Sequence, residues 1–382
     1  MKSRAAVLWG IGEAWKVEDI DIDDPAPGEV LVKWQAAGLC HSEEHFVTGD
    51  FVLPEEQRLQ YGMPSPFPMI GGHEGAGVVV DVGAGVSSVS AGDLVSCSFI
   101  PACGRCRYCV TGRQNLCNQG AQLMLPGQMV DGVVRHFCGG EPLNLYAKCG
   151  TFAEHTLLSE ESVIKVDADL PATAVALVSC GVATGWGSAV HRAGTTAGDV
   201  VVVVGVGGVG INAVQGAAMA GARVVVAVDP VEFKREMAQQ LGATHSAASM
   251  TEAIDMVREM TRGEMADRVI MVPSVMRGEL MAEALTLTGK GGTCVVTGVA
   301  PVVQAEAAIN LLELAMSNKE VKGTLFGSGN PRFDIPHLLA LYRAGQLKLD
   351  ELVTRTYPLD EINEGYQDMR DGKIIRGMLV FD

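Results

Sequence analysis

The chain has 382 residues, of which 48% are apolar and 19% charged, and its formal net charge is −16. This length predicts two domains that can each bury a core. The negative charge argues against nucleic acid or an anionic membrane as a partner, because both bind basic surfaces. Neither a run of eighteen apolar residues nor a secretory signal is visible, which favours the cytoplasm. The ten cysteines are therefore expected to be reduced thiols or metal ligands.

The N-terminal part predicts antiparallel strands, because short apolar runs alternate with glycine, proline and acidic turns. The segment GLCHSEEHF then places Cys40, His41, Ser42 and His45 within six residues. Such a cluster indicates chemistry, although an isolated Cys–His pair is more often structural. The following proline-containing segment, 50–68, has no clear period. It predicts a loop, either near the mouth of a site or as a solvated insertion.

His73 and Glu74 stand between glycines at the start of a predicted strand, GGHEGAGVVV. Further on, CGRCRYCVTGRQNLC supplies four thiols whose spacing can surround one tetrahedral Zn²⁺ and leave no position for water: Cys103, Cys106, Cys109 and Cys117. A structural zinc is predicted. An iron–sulfur cluster is the rival, disfavoured because no Cys-Pro and no second cluster follow. Four other cysteines are expected to pack as small apolar residues: Cys97, Cys138, Cys149 and Cys294.

The middle of the chain predicts loops with short strands between Gly120 and Gly150, and then a strand in TFAEHTLL. The stretch PATAVALVSCGVATGWGSAV predicts a helical approach to Cys180, which lies in a glycine-flanked turn. Two interpretations of Cys180 stay open, a buried thiol or a metal ligand at the domain cleft.

The stretch DVVVVVGVGGVGINAVQGAAMAGARVVVAVD, residues 199–229, has the order of a dinucleotide-binding βαβ unit. We expect Gly205 to form the tight turn, Gly207 to let the backbone approach a pyrophosphate, and Gly210 to pack helix against strand. Asp229 ends the second strand, where a carboxylate binds ribose hydroxyls and repels a 2′-phosphate, so NAD is favoured over NADP. An ordinary βα turn is the alternative.

Beyond Asp229, helical patterns alternate with buried strands as far as VKGTLFG, which predicts a doubly wound parallel sheet. The C-terminal part predicts two helices, in FDIPHLLALYRAGQL and DEINEGYQDMRDG, and a final strand in KIIRGMLVF. We therefore expect a β-rich domain into which the nucleotide-binding domain is inserted.

Six ordered motifs carry a family resemblance over essentially the full chain: GLCHSEEH, GHEGAGVVVDVGAGV, CGRCRYCVTGRQNLC, LVSCGVATGWGSAV, GVGGVG and FGSGNPRFDIP. They resemble the zinc-dependent medium-chain alcohol dehydrogenases. The resemblance implies an α/β protein with a GroES-like β-rich catalytic domain (residues 1–181 and 326–382, with a structural-zinc lobe) and a doubly wound Rossmann NAD-binding domain (182–325). More narrowly, SFIPACGRCRYC and AVDPVEFKREMAQQLGATH resemble the actinobacterial type assayed with N,N-dimethyl-4-nitrosoaniline (NDMA), whose members can hold NAD(H) without exchange.

The resemblance also implies a metal site. Cys40, His73 and Cys180 match the ligands of a catalytic zinc with an open fourth position. Glu74 matches an acid near that metal. Glu43 stands where the family often has an Asp that orients the ligand histidine, and its additional methylene leaves that contact an open question.

Further roles follow from the same matches. Ser42 and His45 match a proton relay, and Ser42 and Phe99 match the substrate pocket. Cofactor contacts are implied for His41, Gly205, Gly207, Gly208, Val209, Gly210, Asp229, Lys234, Val299, Phe326 and Arg376. Among these, Lys234 matches a ribose contact and Arg376 matches a pyrophosphate contact. His41 stands where several family members have an Arg near the pyrophosphate, which predicts weaker phosphate binding. Phe99 and Arg376 have alternative explanations, core packing and a surface ion pair respectively.

The implied function is a reversible, zinc-dependent hydride transfer from a primary or secondary alcohol to NAD, which gives an aldehyde or ketone. Two Zn²⁺ ions per subunit, one catalytic and one structural, and a homodimer or homotetramer are implied with it. Three alternatives stay open. The first keeps NAD(H) bound and recycles it with an external electron acceptor, as a nicotinoprotein does. The second is oxidation of a formaldehyde–thiol adduct, and the third is a non-catalytic protein that binds NAD and zinc.

Overall fold

The computed structural model describes residues 1–120, 129 and 132–382. Its strands are β1 (Lys2–Leu8), β2 (Lys16–Ile22), β3 (Glu29–Gly38), β4 (Met69–Ile70), β5 (Gly75–Val82), β6 (Leu94–Cys97), β7 (His136–Cys138), β8 (Glu141–Pro142), β9 (Asn144–Leu145), β10 (His155–Ser159), β11 (Val163–Lys165), β12 (Val200–Val204), β13 (Val224–Val228), β14 (His245–Ala247), β15 (Ala266–Met271), β16 (Thr288–Val296), β17 (Glu320–Gly323), β18 (Val353–Tyr357) and β19 (Arg376–Val380).

The α-helices are α1 (His41–Val47), α2 (Glu55–Gln60), α3 (Arg107–Val110), α4 (Ala172–Val178), α5 (Gly181–Gly187), α6 (Gly210–Met219), α7 (Glu232–Gln240), α8 (Met250–Met260), α9 (Leu280–Leu287), α10 (Leu311–Met316), α11 (Pro331–Arg343) and α12 (Ile362–Arg370). Two compact units contain them, Met1–Cys180 with Asn330–Asp382, and Gly181–Gly329.

The first unit is built on two sheets. One has the strand order β8-β7-β2-β1-β4-β9, and the other has the order β11-β6-β5-β3-β19-β18, with β10 also paired to β3. The antiparallel N-terminal strands predicted from sequence are confirmed, with β1 paired to β2 and β3 paired to β5. Strand β3 lies in the interior of its sheet. It ends at Gly38, two residues before Cys40.

Two predicted loop regions contain regular structure. The segment 50–68 includes the six-residue helix α2, so the prediction of an irregular loop is wrong for Glu55–Gln60. None of its residues is buried, so no apolar face packs on the core and no apolar period marks the helix in the sequence. Between Gly120 and Gly150 the predicted short strands are confirmed as β7, β8 and β9, while residues 121–128, 130 and 131 lie outside the described residues.

The second unit contains a six-stranded sheet in the order β14-β13-β12-β15-β16-β17, in which each neighbouring pair is parallel. The predicted doubly wound sheet is confirmed. Successive valines of β12 pack on opposite faces: Val202 and Val204 in one apolar cluster, Val201 and Val203 in the other. A strand covered on both faces needs apolar residues at every position, which explains the uninterrupted valine run.

No single helix among the described residues is long and apolar enough to cross a membrane. One pair, Ala172–Val178 with Gly181–Arg192, passes the length and composition criteria together but is bent.

Candidate metal centres and active site

The structure gathers four buried side chains, Cys40, His73, Glu74 and Cys180, whose ligand atoms all lie within 4.8 Å of one another. Pairing of β3 with β5 accounts for three of them. Ala37 is in register with Gly75, and the Gly38 N–H donates to the Glu74 carbonyl at 3.0 Å. The residues after β3 and those before β5 therefore meet at one end of the sheet. Helix α4 then delivers the fourth, Cys180, two residues after its end.

Two sulfurs and one imidazole nitrogen face each other in this cluster. His73 Nε2 lies 3.1 Å from Cys180 Sγ. The neighbouring Cys180 thiol, together with His73, holds the pKa of the Cys40 thiol well below its usual value of 9.0. Thiolate is the form of cysteine that binds a metal, so this contact favours the ligating form of Cys40, whereas the same contact raises the pKa of the Cys180 thiol. A Cys₂His set fits a catalytic zinc site, which has three protein ligands and an open position.

Glu43 orients the His73 ring through a contact with its Nδ1 atom. Its Oε1 lies 2.5 Å from His73 Nδ1, and both side chains are buried. This contact places a proton on Nδ1 and leaves Nε2 as the ring nitrogen that faces the thiols and could bind a metal. The additional methylene of Glu43 does not prevent the contact that sequence reasoning left open.

Glu74 forms a buried ion pair with Nη2 of Arg376. Burial raises the pKa of Glu74, and the guanidinium of Arg376 opposes that shift by favouring the charged carboxylate. Gly38 makes room for the pair, because a Cβ at that position would lie 2.1 Å from Glu74 Oε2 and 2.8 Å from Arg376 Nη2. The explanation of Arg376 as a surface ion pair is wrong, since the residue is only 4% exposed. Its pyrophosphate contact stays a prediction.

The predicted relay residues lie on α1, beside the metal cluster. Ser42 Oγ is 3.5 Å from Cys40 Sγ. His45 is buried, and its Nδ1 lies 3.1 Å from Asp50 Oδ2. Sequence reasoning missed Asp50, although an acid five residues after the histidine, just past the end of the same helix, was a usable signal.

Two aromatic rings wall the cluster. Phe99 and Tyr146 both meet the His73 ring edge-on, with centroid distances of 5.4 Å and 5.2 Å. Both are buried, and burial raises the pKa of the Tyr146 phenol well above 10.0, so the phenol stays protonated. Such walls keep water away from the ligand atoms and strengthen electrostatic interactions there. Tyr146 was not singled out from the sequence, because one tyrosine in an irregular segment carries no periodic signal.

The second metal-binding set consists of the four thiols predicted from their spacing, Cys103, Cys106, Cys109 and Cys117, with ligand atoms within 4.8 Å of one another. Cys106 immediately precedes α3. Backbone N–H groups of Asn118 and Cys109 lower the pKa of its thiol to about 6, which favours the thiolate. Of the four cysteines expected to pack as apolar residues, Cys97, Cys149 and Cys294 are buried and Cys138 is half-buried.

Three glycines form the turn after β12, and one of them, Gly207, has free space where a side chain would be. Gly205 has φ +85°, and a Cβ there would lie 2.3 Å from the Val272 carbonyl oxygen. At Gly210 a Cβ would lie 1.8 Å from the Gly205 oxygen, whereas at Gly207 it would meet nothing within 4 Å. The protein therefore requires glycine at 205 and 210. Position 207 instead borders free space, as expected where a ligand approaches the backbone.

Asp229 fixes the same turn. Its Oδ2 accepts the Val206 N–H at 3.0 Å and its Oδ1 accepts the Val231 N–H at 2.9 Å. Each oxygen retains acceptor capacity for a ribose hydroxyl.

The other residues predicted to contact the cofactor are dispersed. Gly208 and Val209 lead into α6, and Lys234 is half-buried in the first turn of α7. Val299 is half-buried after β16, Phe326 is buried with φ +54°, and His41 is the first residue of α1. The cofactor roles of these residues stay predictions.

Comparison with known proteins places two family matches on the chain: the alcohol dehydrogenase GroES-like domain over residues 26–168 and the zinc-binding dehydrogenase over residues 208–343. An NDMA-dependent alcohol dehydrogenase of Amycolatopsis methanolica is 51% identical over 380 residues, covering 100% of this chain and 99% of the relative. Alcohol dehydrogenase B of Mycobacterium tuberculosis is 44% identical over 381 residues, with coverage of 100% and 99%. The crystal structure of benzyl alcohol dehydrogenase from Acinetobacter calcoaceticus superposes with a TM-score of 0.90 at 29% identity and covers 100% of both chains.

Proposed function

The chain belongs to the zinc-dependent medium-chain alcohol dehydrogenases, and from that membership we propose that it oxidises a primary or secondary alcohol reversibly, with NAD as hydride acceptor. The observation that carries the proposal is the buried set of Cys40, His73 and Cys180. These residues come from three separate parts of the chain and present two sulfurs and one nitrogen within 4.8 Å of one another. A purely structural core has no need of such a donor set.

The residues around this set have distinct tasks. Bound there, Zn²⁺ would supply a Lewis acid that lowers the pKa of an alcohol hydroxyl and so eases loss of hydride from its carbon. Glu43 Oε1 holds the proton on His73 Nδ1 and thereby keeps Nε2 available as a ligand. Phe99 and Tyr146 exclude water from the ligand atoms. Ser42 Oγ, 3.5 Å from Cys40 Sγ, is the hydroxyl that would take the substrate proton.

A second, structural Zn²⁺ is proposed at the four thiols of residues 103–117. Their four ligand atoms lie within 4.8 Å of one another, enough donors to fill every position of a closed tetrahedral zinc site. We thus propose two zinc ions per subunit. Six of the ten cysteines belong to the two sets and bind metal only when reduced, which supports a reducing compartment, the cytoplasm.

NAD rather than NADP is proposed as the cofactor, in a domain that comprises residues 182–325 between the two parts of the catalytic domain. The free space at Gly207 and the carboxylate of Asp229 support this choice. The remaining contacts proposed for it are those of His41, Lys234, Val299, Phe326 and Arg376.

The second candidate keeps the same chemistry but holds NAD(H) permanently and returns its electrons to an external acceptor. The specific observation in its favour is the 51% identity to an NDMA-dependent alcohol dehydrogenase over the full chain. The two candidates differ in one measurable quantity. A nicotinoprotein retains nucleotide through desalting and reduces NDMA without added NAD, whereas an exchanging enzyme needs NAD in the assay.

The test is an alcohol panel, including the formaldehyde–thiol adduct, run with NAD, with NDMA and with neither, on protein of measured zinc content. Cys40→Ala is expected to lose one zinc per subunit and the activity. Cys138→Ala is the matched control, because Cys138 belongs to neither thiol set, and it should keep both. Full activity of Cys40→Ala, or no turnover of any alcohol by the zinc-loaded wild type, would contradict the proposal.

A homodimer or homotetramer is proposed as the assembly. Helix α10 has no buried residue, and three of its apolar side chains are strongly exposed: Leu311 (72%), Leu312 (72%) and Met316 (79%). The helix precedes β17, which is at the end of its sheet. A second copy covering this face would remove the apolar surface from water. Light scattering should show an oligomer for the wild type and a smaller species for Leu312→Glu; a monomeric wild type would contradict the proposal.

A further inference from the structure

One face of helix α12 contacts helix α1, which begins directly after Cys40 and carries Glu43. Asn363, Tyr366 and Arg370 are spaced three and four residues apart and so share that face. Arg370 Nη1 donates to both carboxylate oxygens of Glu44, at 3.0 Å and 3.1 Å. Tyr366 reaches the adjacent residue of α1, Glu43, whose other oxygen is bonded to the histidine of the metal site.

The contact between Tyr366 and Glu43 is buried. Tyr366 Oη is 3.5 Å from Glu43 Oε2, and each residue is only 1% exposed. Burial raises the pKa of the phenol well above 10.0, so at neutral pH its oxygen carries a proton to donate. Because burial lowers the local dielectric, a donor at this distance has a larger effect on a carboxylate than it would at the surface.

The position of the phenol is fixed by its neighbours. The Tyr366 ring stacks on Trp15, with centroids 6.0 Å apart and planes at 21°, and meets Phe152 edge-on at 6.2 Å. Trp15 in turn exchanges two hydrogen bonds between its backbone and the Asn363 amide, at 3.0 Å and 2.9 Å. A ring held on two sides directs its hydroxyl to one place.

We propose that Tyr366 is a positioning residue of the metal site: its phenol donates to Glu43 Oε2, and the carboxylate held in this way keeps Oε1 on His73 Nδ1 and His73 Nε2 towards the thiols. The inference rests on the proposed function, because it assumes that His73 binds the metal.

A glutamate particularly needs such support. Its side chain has one more rotatable bond than that of an aspartate, so a single bond to His73 Nδ1 leaves the carboxylate free to turn about it. A second bond, to the other oxygen, restricts the carboxylate to one orientation. The imidazole that it holds is then oriented before the metal arrives, which raises metal affinity.

The experiment measures the zinc affinity of this site by competition with a chromophoric chelator. It compares Glu43→Gln, Tyr366→Phe and Arg370→Gln with the wild type. A Cys180→Ala variant identifies which of the two zinc phases belongs to the site. Glu43→Gln should weaken the affinity of this zinc about 10- to 100-fold, the usual cost of removing a partner of a ligating histidine. Tyr366→Phe keeps the ring and removes only the hydroxyl, and we expect about a 3- to 10-fold loss of affinity, the net value of one hydrogen bond. The zinc of residues 103–117 should be unaffected in both.

Arg370→Gln is the matched control. It loosens the tie between α12 and α1 at Glu44 and leaves the phenol in place, so it should lower the thermal midpoint without changing the affinity of this zinc. A second readout is the visible spectrum of the cobalt-substituted protein, which should shift in Tyr366→Phe and not in Arg370→Gln.

Two outcomes would overturn the inference. In one, Tyr366→Phe binds zinc as tightly as the wild type and gives the same cobalt spectrum. In the other, Arg370→Gln loses as much affinity as Tyr366→Phe, which would indicate a general packing effect. Failure of the proposed function is distinguishable from both, because the wild type itself would then lack the zinc phase that Cys180→Ala removes.

Discussion

A methyl group at position 207 should weaken NAD binding without weakening the fold, whereas a methyl group at position 210 should weaken the fold itself. A Cβ at Gly207 meets nothing within 4 Å, and φ there is outside the left-handed region. A Cβ at Gly210 would lie 1.8 Å from the Gly205 carbonyl oxygen, a backbone atom that cannot move aside alone. Two residues of one motif are therefore glycine for different reasons.

The magnitudes follow from these contacts. Gly207→Ala should leave the free energy of unfolding unchanged or raise it by about 0.4–1 kcal/mol, because alanine has fewer unfolded conformations. It should weaken NAD binding about 10- to 100-fold, or about 1.4–2.7 kcal/mol, because the methyl group occupies the space of the pyrophosphate. Gly210→Ala should lower the free energy of unfolding by about 1–3 kcal/mol, as overpacking does.

Denaturant unfolding of the nucleotide-free protein gives the stability, and titration with NAD gives the affinity. If the nucleotide is retained on purification, the amount bound per subunit after desalting replaces the titration. Gly323→Ala is the control, because a Cβ there also meets open space in the same unit but lies on β17, away from the turn. The reasoning is refuted if Gly207→Ala binds NAD as the wild type does, or loses as much stability as Gly210→Ala.

Three further predictions concern the catalytic unit. Ser42→Ala should lower kcat by about 10²- to 10⁴-fold at unchanged zinc content, and a kcat close to that of the wild type would remove Ser42 from the proton path. Gly38→Ala should separate Glu74 from Arg376, because its Cβ would lie 2.1 Å from Glu74 Oε2. Breaking a buried ion pair lowers the free energy of unfolding by about 3–5 kcal/mol, which denaturant unfolding can measure. A decrease below about 1 kcal/mol would mean that the two side chains move together and stay paired. Burial lowers the pKa of His136 from 6.5 to about 3, so the unfolded chain binds the additional proton and stability falls as pH drops below 6.5, by about 2 kcal/mol at about pH 5. His136→Gln should flatten that slope, and an unchanged slope would assign it to other groups.

Local motifs were predictable because their chemistry lies within one stretch of chain. The four thiols of residues 103–117 need only a short loop to surround a metal, and their spacing alone indicated it. The turn after β12 was equally local, since strand, glycines and helix follow one another directly. The helix in segment 50–68 was missed because six exposed residues carry no apolar period.

The active-site cluster was only partly predictable. Family resemblance named Cys40, His73 and Cys180, but no spacing along the chain could show that they meet. The antiparallel register of β3 on β5 brings the first two together, and that register is a property of the paired sheet. The same holds for Tyr146, which the fold places against His73 without any local pattern.

The sequence by itself determined the six-stranded parallel sheet, the four-thiol loop and the family, because each depends on the order and spacing of residues within one segment or on motifs in a fixed order. Only the tertiary structure decided how the proposed metal site is supported: that Glu43 reaches His73 despite its longer side chain, that Arg376 is buried against Glu74, and that α12 places Tyr366 on Glu43 across 323 positions of the chain. The physical reason is that a hydrogen bond depends on a separation of about 3 Å in space, and distance along the chain does not encode it.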